Sequence, residues 1–522
     1  MKKVAILWTD DEIDLLQPHI LFLEEKGYHV DTASNGDDAI ELVKNKSYDI
    51  VFLDENMPGK SGLETLSVIK TISSSLPVVM ITKSEEEDIM DAAIGSQIAD
   101  YLIKPVKPNQ ILLSIKKNVD TRELITRETT SAYRSEFMQI GMQISAAAQF
   151  THWAEVYKKL VFWELELEKS DDASMHEILK MQKSEADIEF GKYIKNNYHN
   201  WFFSESLTNS SDDRPLLSPG IIQNTVLPKL KESGKAVFII IDNLRYDQWK
   251  TIAPIVSELY TIEKEDIYCS ILPTATQYAR NSIFAGMMPG DIAARYSELW
   301  LKDEEEGGKN QFENELFSAF KERHGFNFKH YYEKISTKKT GDKVVENLGN
   351  LLQNDLILLV YNFVDMLSHA NTDMEMIREL ASNDAAYRSL TLSWFQHSPF
   401  YELLKLLAEK NIPVIITTDH GTIRVNKPIK VIGDKATSKN LRYKLGRNLD
   451  YNPREVFEIK DPKKVHLPKS NVSSRYIFAT GETFMAYPNR YNYFVNYYTN
   501  TYQHGGVSME EMILPLVSLQ PK

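Results

Sequence analysis

The stretch Ile50-Val51-Phe52-Leu53-Asp54-Glu55-Asn56-Met57-Pro58-Gly59 decides how the N-terminal part of this chain is read. Four consecutive apolar residues followed by an acid, and then by Asn, Pro and Gly, describe a buried strand running into a turn with a carboxylate at its end. The pattern recurs on both sides. Val4 to Leu7 precedes Asp10 and Asp11, Val78 to Ile81 precedes Thr82, and Tyr101 to Ile103 precedes Lys104-Pro105. Short apolar runs alternating with amphipathic segments predict a parallel α/β sheet over residues 1–118. In such a sheet functional groups gather where loops converge at the carboxyl ends of the strands.

Three carboxylates drawn together repel one another, and a divalent hard cation such as magnesium is the ordinary means of holding them ionised. A metal-loaded aspartate suits a phosphoryl acceptor. Lys104 would pair with the added charge, and the Thr82 hydroxyl would hydrogen-bond it and draw its loop inward. The acidic pair Asp10-Asp11, the Asp54 loop, Thr82 and Lys104-Pro105 together resemble the CheY-like receiver domains of two-component response regulators. The resemblance implies a (βα)5 fold, phosphorylation of Asp54 by a sensor histidine kinase, and magnesium held by Asp11, Asp54 and the Asn56 carbonyl, with Asp10 assisting through water. It further implies a cis bond before Pro105 and a rotameric switch at Tyr101. Trp8-Thr9 departs from the aliphatic pair usual ahead of the acids, a matter of strand packing.

The whole chain, 522 residues with 43% apolar residues, is long enough for several domains with true cores. The longest apolar runs, such as Ala236 to Ile241, fall far short of the ~18 to 20 residues that span a bilayer, so no membrane segment is expected. Met1-Lys2-Lys3 opens an apolar run that stops at Trp8 and meets Asp10-Asp11-Glu12, which reads as a strand and not as a secretory signal. A single cysteine, Cys269, permits no intramolecular disulfide, and a cytoplasmic location follows as the expectation. The net charge of −13 disfavours a chain that coats nucleic acid by bulk electrostatics.

Between Asn109 and Arg214 there is no proline and only Gly141 and Gly191, while good helix formers abound. Apolar residues recur at helical spacing in Phe137, Ile140 and Ile144 and again in Trp153, Tyr157 and Leu160, and Ser170 to Ser174 supplies a break. Residues 119–207 are therefore expected to form a three-helix bundle or linker, with Thr208 to Pro219 as its exit. Its position between a switch and a larger domain suits it to transmit or restrain motion. His152, His176 and His199 have no carboxylates at metal spacing and read as packing or surface residues.

Residues 208–522 return to strands followed by polar clusters. Ala236 to Ile241 ends in Asp242, and Leu272-Pro273-Thr274-Ala275-Thr276 presents two hydroxyls. Leu356 to Tyr361 leads to Asp365 and His369, Val414 to Thr418 leads to Asp419-His420-Gly421, and His504-Gly505-Gly506 follows late. Asp365 and His369 are four apart, so one helix face would present both to one ion. Mixed imidazole and carboxylate donors suit zinc, and seven donors suffice for two ions about 4 Å apart. Such a pair binds phosphoryl oxygens and stabilises a leaving alkoxide.

These clusters, in this order, resemble the alkaline phosphatase superfamily, and within it the PglZ-type domains and the nucleotide pyrophosphatase/phosphodiesterases. The resemblance implies one zinc on Asp242, Thr276, Asp419 and His420, a second on Asp365, His369 and His504, and Thr276 as the nucleophile with Thr274 as the alternative. Between Thr422 and Asn448 eight basic residues stand against one acid, and Arg442 and Lys444 in that stretch are expected to meet a polyanionic substrate such as an oligonucleotide. The whole order, receiver, helical segment and PglZ-type domain, resembles the PorX-type response regulators. That implies a phosphodiesterase acting on nucleotides, homodimerisation on phosphorylation and control of type IX secretion. The competing reading is a signalling adaptor whose zinc domain binds a nucleotide, or a protein such as a sigma factor, without useful turnover. A DNA-binding regulator is weakest, since no basic helix-turn-helix follows the receiver.

Overall fold

Every residue of Ile50–Asp54 is buried, as a central parallel strand covered on both faces requires. This strand, β3, lies in a five-stranded sheet with β1 (Ala5–Thr9), β2 (His29–Ala33), β4 (Val78–Thr82) and β5 (Asp100–Ile103). The order is β2-β1-β3-β4-β5 and all pairs are parallel. Alternation along the strands feeds two apolar layers. Leu7, Val51 and Leu53 pack on α2 (Gly36–Asn45) and α3 (Gly62–Ile72), while Ile6, Trp8 and Phe52 pack on α1 (Gln17–Glu25) and α4 (Pro108–Ile115). Asn35 caps α2 by accepting from Asp38 N, and Ser61 with Glu64 closes a capping box on α3.

The computed structural model describes residues 4–73, 76–83, 98–170, 172–202, 214–301, 310–434, 437–469, 471 and 473–522. The helix that a (βα)5 pattern places between β4 and β5 falls in 84–97, outside the described residues. The chain divides into two compact units, Met1–Tyr133 with Lys169–Asp172, and Arg134–Glu168 with Ala173–Lys522.

The middle segment forms three helices, α5 (Thr121–Ala146), α6 (Phe150–Leu167) and α7 (Ala173–Asn197). Most of this segment belongs to the second unit, where Trp153 of α6 packs on Phe190 and Tyr193 of α7. Beyond it a six-stranded mixed sheet is built from β6 (Ala236–Ile241), β7 (Tyr260–Cys269), β8 (His330–Ile335), β9 (Leu356–Tyr361), β10 (Val414–Thr417) and β11 (Ile513–Pro521). The order is β7-β11-β10-β6-β9-β8. The four strands from β10 to β8 are parallel, and β11 is antiparallel to both its neighbours. Because β10, β6 and β9 are adjacent and parallel, their carboxyl ends emerge side by side, which is where Asp419, Asp242 and Asp365 stand. Among the described residues no helix is long and apolar enough to cross a membrane.

Candidate functional site

In the first unit, Asp10, Asp11 and Asp54 offer oxygens that all lie within 4.8 Å of one another. The Lys104 ammonium spans the cluster, 2.8 Å from Asp10 Oδ2 and 2.9 Å from Asp54 Oδ1. Burial lifts the Asp54 carboxyl above its ordinary range against the pull of Lys104, and Asp10 and Asp11 add to the rise. Thr82 is buried at the end of β4, Tyr101 lies half-buried on β5, and Asn56 is exposed on the loop after Asp54. The peptide bond between Lys104 and Pro105 is cis. Gly62 opens α3 so close to this loop that a Cβ there would lie 2.4 Å from the Asp54 carbonyl oxygen, so no larger residue fits.

In the second unit the donors fall into two groups. Asp242, Asp419 and His420 form one, fully buried, and Asp365, His369 and His504 form the other. His420 Nε2 is 3.7 Å from Asp242 Oδ1, 3.8 Å from Asp419 Oδ2 and 3.0 Å from Thr276 Oγ1. Asp242 Oδ1 and Asp419 Oδ2 are buried and receive no hydrogen bond among the described residues. Two such carboxylate oxygens facing an imidazole nitrogen and a hydroxyl fit a divalent metal of zinc's ligand preference. In the other group, Asp365 Oδ2 is 3.5 Å from His369 Nε2 and Oδ1 is 3.8 Å from His504 Nε2. Asp365 and His369 share one face of α10 (Phe363–Asp373). The rings of His420 and His504 stack with centroids 4.3 Å apart, so the two groups are contiguous. His369 keeps 64% of its side chain exposed, which opens the centre to solvent on that side.

Neighbouring groups orient the ligands. His504 Nδ1 is 3.2 Å from the Thr274 carbonyl and His420 Nδ1 is 3.2 Å from that of Gly421, which leaves both Nε2 atoms for the centre. Burial and the nearby His420 hold His504 well below the usual histidine range, so it stays the neutral imidazole that a metal binds. Burial and the adjacent Asp242 push Asp419 up to about 6. Burial also works to raise Asp242, but the Arg280 guanidinium beside it holds it below its ordinary value.

Several residues of this site carried no signal of their own in the chain. Arg280 lies one turn beyond Thr276 on α9 (Thr276–Ala285) and is wholly buried, 2.6 Å from Asp242 Oδ2 and 2.5 Å from Glu313 Oε1. Its spacing of four from Thr276 was the available clue. Asn243, at φ 66°, ties the groups together: its N–H donates to Asp419 Oδ1 at 3.3 Å and its amide to Asp365 Oδ1 at 3.4 Å and Ser368 Oγ at 3.0 Å.

Thr276 Oγ1 stands at the donors, half-buried, whereas Thr274 is fully buried, donating to the Gly506 carbonyl at 2.8 Å and accepting from Gly505 N at 3.1 Å. The expectation for Arg442 and Lys444 is corrected. Arg442 is completely buried, its Nη2 2.6 Å from Glu511 Oε2, and Lys444 is buried with its ammonium 3.1 Å from the Ser438 carbonyl and over the Tyr487 ring. Lys444 lies on the strand Tyr443–Gly446, paired with Arg475–Ala479 inside the domain, Arg442 directly precedes that strand, and neither cation is open to a polyanion. Lys435, in the same basic stretch, lies outside the described residues.

Three segments of the chain match family models of known proteins. Residues 221–519 match the family model of the BREX system PglZ alkaline phosphatase-like domain, residues 123–202 that of the PorX response regulator linker domain, and residues 6–116 that of the response regulator receiver domain. The chain is 33% identical over 114 residues to the transcriptional regulatory protein ResD of Bacillus subtilis, covering 22% of this chain and 47% of that protein. It is 36% identical over 113 residues to a CpxR homolog of Haemophilus influenzae, covering 21% and 48%. The chain thus spans less than half the length of the curated relatives it matches. Among solved structures, a receiver domain from Clostridium thermocellum matches with 30% identity over 23% of this chain and 98% of its own, at a TM-score of 0.23. The receiver domain of NtrX from Brucella abortus matches with 30% identity over 22% and 98%, at 0.21.

Proposed function

The chain belongs to the PglZ alkaline phosphatase-like family, here joined to the receiver and linker domains of a PorX-type response regulator, and from that premise we propose that it is a phosphorylation-controlled, zinc-dependent phosphodiesterase acting on linear or cyclic nucleotides. Six donors converging in two contiguous groups beside the Thr276 hydroxyl carry this reading.

Asp242, Thr276, Asp419 and His420 would hold one zinc and Asp365, His369 and His504 the other. Bound there, zinc supplies Lewis acidity toward phosphoryl oxygens and the leaving oxygen. Thr276 Oγ1 forms a new bond to phosphorus as the ester P–O bond breaks, the hydroxyl proton passing to solvent water, which returns a proton to the leaving alkoxide. A second water then adds its oxygen to phosphorus as the bond to Thr276 Oγ1 breaks, releasing the phosphate monoester and returning a proton to the hydroxyl. Arg280 balances Asp242 and Glu313 in a buried site, and Asn243 holds Asp365 and Asp419 in register.

Asp54 accepts a phosphoryl group from a sensor histidine kinase, and Asp10, Asp11, Asp54 and Asn56 would hold the magnesium that neutralises its oxygens. Lys104, already bridging Asp10 and Asp54, meets the new charge. Phosphorylation favours a homodimer and so governs access to the zinc centre.

The test compares hydrolysis of a linear dinucleotide, a cyclic dinucleotide and a phosphate monoester by native protein and by Thr276→Val. Turnover of the diesters, assayed at saturating zinc because Thr276 is also a ligand, should fall about 10³-fold or more in the variant. Equal turnover in both proteins, or a preference for the monoester, would sink the proposal.

A further inference from the structure

Helix α7 belongs to the segment that matches a linker, yet two of its side chains reach a turn that supports the metal donors. That turn is α11 (Met509–Met512), and Asp187 Oδ1 accepts the Met509 N–H at 2.8 Å. Lys183 Nζ is 2.6 Å from Glu164 on α6 and 3.6 Å from Glu510 on α11, which ties both linker helices to the same turn.

From α11 an unbroken series of buried hydrogen bonds runs to the donors. Glu511 takes the Ser508 hydroxyl on Oε2 at 2.8 Å and the Gly506 N–H on Oε1 at 2.8 Å. The Gly506 carbonyl accepts from Thr274 Oγ1 at 2.8 Å, and the Thr274 carbonyl faces His504 Nδ1 at 3.2 Å. The same turn backs the other group as well. Gly421, next to His420, donates its N–H to the Glu511 carbonyl at 3.3 Å, and a Cβ on Gly421 would lie 2.0 Å from the Glu510 carbonyl oxygen. Any shift of α11 is therefore felt at His504 and at His420.

Resting on the reading of the centre as a zinc site, we infer that α7 is a working part of that site, with Asp187 and Lys183 as positioning residues that hold α11 and through it orient His504. Simple packing of a linker needs only apolar contact, and Tyr157 against Tyr246 and Tyr198 against Phe457 already supply it. Burying Asp187 and Glu510 side by side is costly, and Glu510 Oε2 receives no hydrogen bond from the described residues. Burial raises both carboxyls, Asp187 well above the ordinary range, and the Lys183 ammonium beside them works against the rise. Such a contact is specific in direction as well as in energy, which is what orienting a ligand demands.

The experiment uses the full chain loaded with zinc. Zinc affinity is measured by competition with a chromogenic chelator, alongside kcat and KM for a linear dinucleotide, in native protein, Asp187→Ala and Asp187→Asn. The asparagine retains an oxygen that accepts from Met509 N–H. Asp187→Ala should weaken one of the two zinc ions about 10- to 100-fold and lower kcat with KM little changed, while Asp187→Asn returns zinc affinity to within about threefold of native. Native zinc affinity and kcat in Asp187→Ala would overturn the inference, and so would a well-folded Asp187→Asn as impaired as the alanine. Should Asp187→Ala not fold, Lys183→Met carries the same test with the same expected loss. A native protein that binds no zinc refutes the zinc-centre reading itself, whereas native zinc binding with an unaffected Asp187→Ala refutes only the role of α7.

Discussion

The receiver pocket and the proposed metal centre are both clusters of aspartates at the carboxyl ends of parallel strands, and they balance their charge in opposite ways. In the receiver the Lys104 ammonium spans Asp10 and Asp54, and Asp11 and Asn56 remain exposed. Such a pocket is open to an incoming anion. In the metal centre Asp242, Asp419 and His420 are withdrawn from solvent, and the cation within, Arg280, is committed to Asp242 and Glu313. That leaves orphaned oxygens on Asp242 and Asp419 and, among the described donors, His369 as the exposed one. The same strand-end chemistry therefore produces a pocket suited to gain charge in one unit and a site whose donors could hold a metal in the other.

The sharpest way to break this contrast is to remove a buried carboxylate. Asp419→Ala should lose zinc and lower diester hydrolysis by about 10³-fold or more while the receiver still responds to beryllofluoride with magnesium. Metal analysis showing native zinc content in that variant would end the account of the buried group. The reciprocal substitution, Asp54→Ala, should abolish the beryllofluoride-induced change in oligomeric state, read by light scattering, and leave zinc content untouched. An identical response in native and variant would remove the switch. Smaller in effect, His369→Ala should weaken zinc about 10- to 100-fold without altering the melting of the metal-free protein, because this ligand is largely exposed and packs little.

The lysines sharpen the comparison further. Lys104, with two carboxylate partners, is raised above its ordinary value in spite of burial, whereas burial without such a partner brings Lys444 down to about 8. Between about pH 8 and the ordinary lysine value near 10.4, the unfolded chain binds the proton that folded Lys444 has released, so stability rises with pH across that window. Lys444→Met should flatten this rise, by about 1–3 kcal/mol at most, in urea midpoints of the second unit measured at pH 7.5 and 9.5. A native midpoint that does not climb with pH would show Lys444 better solvated than its burial indicates.

Much of the framework was legible because a fully buried parallel strand announces itself as an unbroken apolar run, and an acid directly after it stands out. That applies to β3 with Asp54, β6 with Asp242 and β10 with Asp419-His420. The strand β2, His29–Ala33, did not stand out, since an edge strand needs only Val30 and Ala33 buried and carries polar residues between. Arg442 and Lys444 were misleading for a different reason. A cation in a basic stretch reads as solvent-facing, and nothing nearby reveals that Glu511, far along the chain, awaits Arg442.

The order of residues by itself determined which segments become strands, which acids and histidines stand at their ends, and the receiver, linker and phosphatase-like succession, because these depend on local hydrophobic pattern and spacing. Only the tertiary structure decided that Asn243 bridges the two donor groups, that Arg280 lies between Asp242 and Glu313, and that α7 grips the turn behind His504. Those contacts join residues remote in sequence, and their strength comes from exclusion of water, a property that belongs to the folded core and to no stretch of chain alone.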